Sequence, residues 1–124
     1  MKIGSINENR DIEQRIAITP EVIKKYKSIG LEVCLSKNYG VHLGINDKVY
    51  ENEGAVILKS EEEVISVSSA ILQMNILNDT NLNKLNKSQI LIGVLNPYEN
   101  KDKLEILAKK KINLFSLELL PRIT

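Results

Sequence analysis

The sequence predicts a three-layer α/β fold: a doubly wound parallel sheet between two layers of helices, Rossmann-like or flavodoxin-like, in a single domain. Short apolar runs typical of strands alternate with amphipathic segments that carry helix start and stop signals. Strict alternation of this kind is typical of a parallel sheet covered on both faces. The length of 124 residues fits one domain, and no internal repeat, linker or low-complexity stretch divides it.

The first strand is predicted at Lys2–Ser5. Thr19 is expected to cap a helix that begins at Pro20, because proline at the first helical position loses no hydrogen bond. Gly30 is expected to end this helix, because glycine readily adopts the left-handed backbone conformation that follows a helix. Three lysines of this helix are expected to face water. The opposite, buried face is predicted to comprise Val22, Ile23, Tyr26 and Ile29.

The middle of the chain continues the alternation of predicted strands and helices. Strand two is predicted at Leu31–Ser36, and a short helix begins at Asn46 or Asp47 and ends at Gly54. A brief third strand follows at Ala55–Leu58. Ser60 and Glu63 then have the spacing of a capping box, which predicts another helix start.

The last third supplies the remaining strands and helices. Strands four and five are predicted at Ala70–Met74 and Gln89–Val94, with a helix near Asn81–Leu85 between them. Asn100 opens a further helix, and strand six is predicted at Ile112–Leu117. The inner side of that last helix is predicted to comprise Leu104, Leu107 and Ala108. The expected strand order is 3-2-1-4-5-6, with a flavodoxin-like 2-1-3-4-5 core as the alternative.

Composition excludes several classes of function. A formal charge of +1, four Tyr, one Phe and no Trp provide neither a basic face nor a stacking surface for nucleic acid. The single Cys34 excludes an internal disulfide, suits a reducing cytosol and is interpreted as a buried, inert thiol. His42 has no second His or Cys pair near it, so no metal site is expected. No apolar run approaches the length of a membrane span.

Polar residues follow three strands of the predicted sheet. Ligands of open parallel sheets bind beyond the carboxyl ends of the strands, near the point where strand order reverses. If strands one and four are neighbours, the polar residues there converge on one crevice. These candidates are Asn7, Glu8, Arg15, Gln73, Asn75 and Asn96. In the alternative interpretation the amides satisfy loop backbone groups, and Arg15 pairs with Glu13 or Glu21 on the surface.

Arginine is scarce in this chain. Among 17 basic residues only Arg10, Arg15 and Arg122 are Arg, and an Arg more often marks a position that needs a fixed, forked donor. Arg122 follows the last predicted strand and is interpreted either as such a donor or as a solvated tail residue. No glycine-rich dinucleotide or phosphate loop follows any strand, and no catalytic residue is predicted. A self-contained nucleotide enzyme is therefore not expected.

The residues of this chain resemble a known family, the N-terminal domain shared by the alpha subunit of proton-translocating NAD(P) transhydrogenase and by alanine dehydrogenases. The resemblance covers essentially the whole chain, residues 1–124. Its most specific block is Arg15-Ile-Ala-Ile-Thr-Pro20, and the Pro-Arg-Ile around Arg122 separates transhydrogenases from alanine dehydrogenases. The remaining matches include Lys2-Ile-Gly, Glu8, Gly30-Leu-Glu-Val33, Gly40-Val41, Leu95-Asn-Pro97 and Asn100.

The resemblance implies a role in hydride transfer. In the family the alpha subunit holds NAD(H) and exchanges hydride with NADP(H), which a beta-subunit domain holds, while protons cross the membrane. The implied partners are a following dinucleotide-binding domain, expected to be absent from this chain, the NADP(H)-binding domain and a second alpha subunit in a homodimer. The implied location is cytoplasmic, peripheral to the inner membrane. By resemblance, Arg122 lies near the nicotinamide and positions it.

Two replacements set this chain apart from alanine dehydrogenases. Those enzymes bind the keto acid with an Arg at the position of Arg15, a Lys at that of Gln73 and a catalytic His at that of Asn96. Neither Gln nor Asn acts as a general acid or base at neutral pH, so amino-acid dehydrogenation is expected to fail. Ile6 and Asn7 also replace the usual Pro-Lys after strand one.

Three hypotheses follow. The first is a fragment of transhydrogenase alpha, natural or truncated, that is inactive alone and binds no dinucleotide by itself. The second is the substrate domain of an alanine or other amino-acid dehydrogenase, and the third is a stand-alone, non-catalytic interaction domain. The family domain normally receives a helix from polypeptide beyond Thr124, so an uncovered apolar patch and self-association are expected.

Overall fold

The computed structural model describes residues 1–117, in which six strands alternate with helices in a single parallel sheet. The strand order is β3-β2-β1-β4-β5-β6, so the predicted fold class and the first of the two predicted orders are confirmed. The strands are β1 (Lys2–Ser5), β2 (Glu32–Ser36), β3 (Val56–Leu58), β4 (Ala70–Asn75), β5 (Ile90–Val94) and β6 (Asn113–Ser116). The helices are α1 (Pro20–Ser28), α2 (Asp47–Asn52), α3 (Glu61–Val67), α4 (Asp79–Leu82) and α5 (Lys101–Lys109), with a 3-10 turn at Val41–Leu43.

Each face of the sheet has its own apolar core. Because side chains alternate along a strand, Ile71 of β4 packs on one side and its neighbour Leu72 on the other. The first core takes residues from α3, α4 and α5, with Leu91 of β5 at its centre. The second takes residues from α1 and α2 and contains Tyr39 and Tyr50, whose rings meet edge to face 5.7 Å apart. The helices therefore cover both faces, as the alternation predicts.

One part of the sheet is not covered by the described helices. α1 and α2 lie against β2 and β3, on the side of the second core, and leave β5 and β6 open on that side. Ile92 pairs in register with Phe115, which is 52% exposed, and Leu117 is 46% exposed. The uncovered apolar patch that the family resemblance implies is therefore present among residues 1–117, at the β6 end of the sheet.

Two side chains predicted to be buried are exposed. Ile29 is 72% exposed because it is the C-cap of α1 and no longer follows the helical repeat that buries Ile23. Ala108 is exposed because α5 buries a narrow stripe, in which Leu107 is 2% exposed and Leu104 is half-buried. Both predictions were wrong for one residue at the edge of a helix face, whereas the other residues predicted for that face are buried or half-buried.

The predicted caps form only in part. Thr19 lies at the N-cap of α1 without a side-chain hydrogen bond, and its carbonyl oxygen accepts the N–H of Val22 instead. The Oγ of Ser60 accepts the N–H of Glu63 at 3.2 Å, which is half of a capping box. The helix predicted near residues 81–85 begins earlier, because Asn78 caps it by accepting the N–H of Asn81 at 2.8 Å.

None of the helices within residues 1–117 is both long enough and apolar enough to cross a membrane.

Candidate functional site

A crevice opens beyond the carboxyl ends of β1 and β4, the neighbouring strands at which the strand order reverses. It contains a cavity of about 490 Å³ whose walls come from the loop after β1, the end of β4 and the helices α3, α4 and α5. The cavity is lined by Ile6, Asn7, Glu8, Asn9, Ile12, Glu61, Gln73, Ile76, Leu77, Asn78, Asn81 and Lys103. β1 and β4 are neighbours, as the prediction required, but of the six predicted candidates only Asn7, Glu8 and Gln73 line the cavity.

Gln73 joins the two strands at the floor of this crevice and is 3% exposed. Its Oε1 accepts the N–H of Ile6 at 2.7 Å and the hydroxyl of Ser5 at 3.1 Å. Its Nε2 donates to the carbonyl oxygen of Ile6 at 3.2 Å and to Glu8 at 2.9 Å. The alternative interpretation, that this amide satisfies loop backbone groups, describes the geometry of Gln73.

Glu8 also connects the loop after β1 to the end of β4. Its carboxylate accepts the N–H of Met74 at 2.7 Å and that of Asn75 at 3.2 Å, where the pairing of β4 with β5 shifts register. Desolvation by burial raises the pKa of Glu8, while the two backbone N–H groups act in the opposite direction. Glu8 therefore holds the irregular end of β4 to the loop after β1.

Arg15 lies in the same loop, in contact with Glu13. The Nε and Nη2 of Arg15 each donate to Glu13 at 2.9 Å, and the backbone N–H of Arg15 donates to the same carboxylate at 3.0 Å. A weaker contact of 3.4 Å runs from the Nδ2 of Asn75 to Glu13. The hydrogen bond from Arg15 is the largest influence on the pKa of Glu13, which it lowers. The predicted Arg15–Glu13 pair is present, and Asn75 brings it close to β4.

The five residues Glu8, Glu13, Arg15, Gln73 and Asn75 are called the β1–β4 polar cluster below. Asn96 is placed differently: it follows β5 with a φ of 46°, and its carbonyl oxygen accepts the N–H of Asn100 at 2.9 Å. Neither Asn96 nor Arg15 lines the cavity. Arg122 lies outside the described residues.

Asn7 turns away from β4 towards β2. Its backbone N–H donates to the Oγ of Ser36 at 3.1 Å, and its Nδ2 donates to the carbonyl oxygen of Lys37 at 3.2 Å. The loop after β1 is therefore anchored to both neighbouring strands, to β2 by Asn7 and to β4 by Glu8.

Several residues that line the cavity were not predicted from the sequence. Glu61, Asn81 and Lys103 belong to three different helices, and no local motif connects them. Asn81 donates to Glu61 at 2.8 Å, and Lys103 forms an ion pair with Asp79 at 3.2 Å. The Asn78 cap was the one available signal, because an Asn three residues before a helical N–H marks a helix start.

No group of three His, Cys, Asp or Glu side chains within residues 1–117 is arranged to hold a metal ion. Cys34 is buried, and burial raises the pKa of its thiol. His42 contacts the carbonyl oxygen of Gln14 through Nε2 at 2.8 Å. Burial therefore accounts for Cys34, and the contact with the backbone accounts for His42.

Comparisons with known proteins agree with this geometry. The family model for the alanine dehydrogenase/PNT N-terminal domain matches residues 4–124. The chain is 34% identical over 128 residues to the first section of NAD(P) transhydrogenase subunit alpha of Rickettsia prowazekii, covering 100% of this chain and 33% of that protein. It is 33% identical over 98 residues to N(5)-(carboxyethyl)ornithine synthase of Lactococcus lactis, covering 79% of this chain and 30% of that protein.

A solved structure, the transhydrogenase from Sinorhizobium meliloti, superposes with a TM-score of 0.91 at 26% identity, covering 100% of this chain and 37% of that one. The chain spans about a third of the length of the curated relatives it matches. The fold and the crevice define an α/β domain with an open cavity at the reversal of strand order. The chain belongs to the alanine dehydrogenase/PNT N-terminal domain family.

Proposed function

We propose that this chain forms one wall of the nicotinamide cleft of an NAD(P) transhydrogenase alpha subunit. The assembled enzyme transfers hydride between NAD(H) and NADP(H), coupled to proton translocation. The opposite wall is the dinucleotide-binding domain of the same subunit, and a beta-subunit domain carries NADP(H). In this arrangement the chain is cytoplasmic, peripheral to the membrane, and has no turnover by itself.

The observation that carries the proposal is the similarity of the whole chain to the first section of NAD(P) transhydrogenase subunit alpha, and Gln73 argues against amino-acid dehydrogenation. The resemblance places a lysine at this position in alanine dehydrogenases and commonly in transhydrogenases too, but here a neutral amide is buried and its hydrogen bonds go to Ser5, Ile6 and Glu8. A buried amide offers no proton to a substrate at neutral pH. Hydride transfer between two nicotinamides needs positioning and no acid–base pair at this strand end.

In this proposal the chain contacts only the nicotinamide end of a dinucleotide. No glycine-rich loop follows β1, and a Cβ at Gly4 would overlap the side chain of Ser68, so this strand is packed tightly against α3. When bound, the dinucleotide supplies the hydride chemistry. The chain supplies hydrogen-bond donors near the nicotinamide, with Arg122 by resemblance, while Arg15 lies beside the crevice and outside its lining.

The test is reconstitution with a dinucleotide-binding polypeptide and an NADP(H)-binding domain. The expected result is reduction of thio-NADP⁺ by NADH in the assembled system and none with the chain alone. Calorimetry with the chain alone is expected to show no micromolar binding of NADH. Tight binding by the chain alone would contradict the proposal.

Arg122→Ala in the same assembly tests the residue implied by resemblance. A lower rate of hydride transfer with unchanged assembly is expected, because the nicotinamide loses a positioning donor. Arg10→Ala, which removes an arginine that contacts the carbonyl oxygen of Asn38, is the matched control. An unchanged rate for Arg122→Ala removes that residue from the site.

A second candidate is the substrate domain of an amino-acid dehydrogenase. The similarity to N(5)-(carboxyethyl)ornithine synthase, which spans 79% of this chain, favours it. This candidate predicts reductive amination of pyruvate by the assembled protein. The neutral amides at Gln73 and Asn96 argue against it.

A further inference from the structure

Four exposed lysines lie together at the amino ends of β5 and β6, the edge of the sheet opposite the crevice. They are called the lysine patch below and comprise Lys87, Lys109, Lys110 and Lys111. The segments that carry them are adjacent, because Ile90 pairs with Asn113 in register. The N–H of Ser88 also donates to the carbonyl oxygen of Lys111 at 2.9 Å. The four cations therefore share one surface.

This surface is positive although the whole chain is nearly neutral. Residues 80–98 and 106–117, the two spans that hold the lysine patch, contain no acidic residue. Within residues 1–117 no lysine of the patch forms an ion pair, and Lys110 contacts the carbonyl oxygen of Asn83 at 3.4 Å. The net charge of +1 predicted no basic face, and the uneven distribution of charge corrects that expectation.

The stability of α5 does not account for the whole patch. Cations near the last carbonyl groups stabilise a helix, which explains Lys109, but Lys87 belongs to another segment. Lys111 has a φ of 66° where the chain leaves α5, and the N–H of Ile112 donates to the carbonyl oxygen of Leu107 at 3.2 Å, as in a Schellman turn. Glycine suits position 111 better, because a Cβ strains a left-handed backbone.

The chemistry of the lysine patch fits a surface with many anionic groups. Its two spans contain no arginine, the residue that best holds a single phosphate through two hydrogen bonds. Lipid headgroups attract clustered lysines without a fixed geometry. Ile106 is 58% exposed and shares a helix face with Lys109 and Lys110, which follow it by three and four positions. An exposed apolar side chain beside cations suits a lipid interface.

We propose that the lysine patch docks this chain on an anionic lipid surface, with the crevice and the β1–β4 polar cluster directed away from the lipid. The choice of a membrane over an acidic protein rests on the proposed function, which puts the chain in a membrane-bound enzyme. Because all six strands are parallel, the patch and the crevice lie at opposite ends of the sheet. The docked crevice therefore stays accessible to a cofactor and to a second domain.

The test is sedimentation of the 124-residue chain with lipid vesicles. Vesicles of phosphatidylcholine alone are compared with vesicles of phosphatidylcholine and phosphatidylglycerol. Binding is expected only to the vesicles that contain phosphatidylglycerol. It is expected to weaken as salt rises from about 0.01 M to about 0.15 M, because the Debye length falls from about 30 Å to about 8 Å.

A triple variant removes three charges from the lysine patch: Lys87→Gln, Lys109→Gln and Lys111→Gln. Its partition onto anionic vesicles is expected to fall about a hundredfold, since each lysine near an anionic surface contributes about fivefold. The matched control replaces three exposed lysines of α1, α2 and the loop after β3 by glutamine, namely Lys25, Lys48 and Lys59. Its partition is expected to change by less than about twofold, because charges beyond a Debye length from the surface are screened.

Lys111→Gly separates docking from folding. Partition onto anionic vesicles is expected to fall about fivefold with the loss of one charge. The midpoint of urea unfolding is expected to equal or exceed that of the wild type, because glycine relieves the strain of the left-handed backbone. A lysine that only stabilised the fold would give the opposite result, with unchanged partition and a lower midpoint.

Equal binding to both kinds of vesicle, binding to neither, or a triple variant that binds like the wild type would overturn the inference. Binding of polyglutamate without binding of anionic vesicles would overturn it in favour of an acidic protein partner. These measurements need no second polypeptide and no cofactor. A failed reconstitution of hydride transfer with preserved vesicle binding would therefore count against the proposed function and not against the docking surface.

Discussion

At the scale of single residues, two glutamates of one loop have opposite electrostatic surroundings. The pKa of Glu13 is lowered from 4.5, chiefly by its hydrogen bond with Arg15. The pKa of Glu8 is raised from the same ordinary value, chiefly by desolvation. A lowered pKa stabilises the fold above the unfolded value, and a raised pKa stabilises it below that value. The two residues therefore contribute stability in opposite pH ranges.

This contrast predicts opposite pH dependences for two isosteric variants. The stability that Glu13 contributes should be present above about pH 4.5 and lost as pH falls through its folded pKa. The contribution of Glu8 should be present below about pH 4.5 and lost as pH rises through its folded pKa. Urea unfolding of wild type, Glu13→Gln and Glu8→Gln over a pH series measures both differences. Parallel pH profiles for the two variants would contradict the assignment.

The positions of these residues and the Arg15–Glu13 pair were predictable, but the bonds of Glu8 were not. Parallel strands bring their carboxyl ends to one edge, so Arg15, Gln73 and Glu8 could be placed near each other from the strand pattern. Glu8 bonds to Met74 and Asn75, where the register of β4 and β5 shifts, and no local pattern encodes that shift. The contact of Asn75 with Glu13 likewise joins residues 62 positions apart in the sequence.

At the scale of elements, the register shift of β4 brings two backbones unusually close. A Cβ built at Gly93 of β5 would overlap the carbonyl oxygen of Gln73, its partner in register. A flexible side chain could rotate away, but a strand backbone cannot. Glycine is therefore required at position 93 because the backbones of β4 and β5 approach closely there, and not because the residue needs a special backbone angle.

Gly93→Ala is predicted to destabilise the domain by about 2 kcal/mol, since the strands must separate to accept the methyl group. Gly30→Ala is the control: its φ is 90° and no atom lies within 4 Å of the added Cβ, so it introduces only backbone strain of about 1 kcal/mol. Urea unfolding compares the two. A smaller loss for Gly93→Ala than for Gly30→Ala would contradict the overlap.

The helix α5 offers a matched pair of neighbouring apolar side chains. Leu107 is 2% exposed in the first core, whereas Ile106 is 58% exposed. Leu107→Ala is predicted to lower the free energy of unfolding by about 3 kcal/mol, and Ile106→Ala by less than about 0.5 kcal/mol. Thermal and urea unfolding measure the difference. Similar losses at the two positions would mean that α5 packs with a different face.

At the scale of the whole molecule, the fold class followed from the alternation of strands and helices. The alternation left two strand orders open, and the structure has the first of them, β3-β2-β1-β4-β5-β6. The alternation also does not fix how far each helix layer extends. The described helices α1 and α2 stop short of β5 and β6, so the apolar patch around Ile92 and Phe115 has no cover within residues 1–117.

The patch predicts concentration-dependent self-association of the chain, because parallel sheets are stable when both faces are shielded from water. Phe115→Lys is expected to lower the association constant measured by sedimentation equilibrium. Ile29→Lys changes an exposed apolar residue at the end of α1 and is the control. Association that persists in Phe115→Lys and falls in Ile29→Lys would place the contact elsewhere.

The anchoring of the loop between β1 and α1 has a dynamic consequence. Glu8 attaches this segment to β4, Asn7 attaches it to β2, and the hydroxyl of Tyr39 accepts the N–H groups of Ala17 and Ile18 at 3.1 and 3.2 Å. These bonds anchor the segment at both flanks and at its far end, so they favour opening of the anchored amides as one unit. Amide hydrogen exchange is therefore expected to give similar opening free energies for Asn7, Ala17 and Ile18, whose backbone N–H groups donate in these contacts.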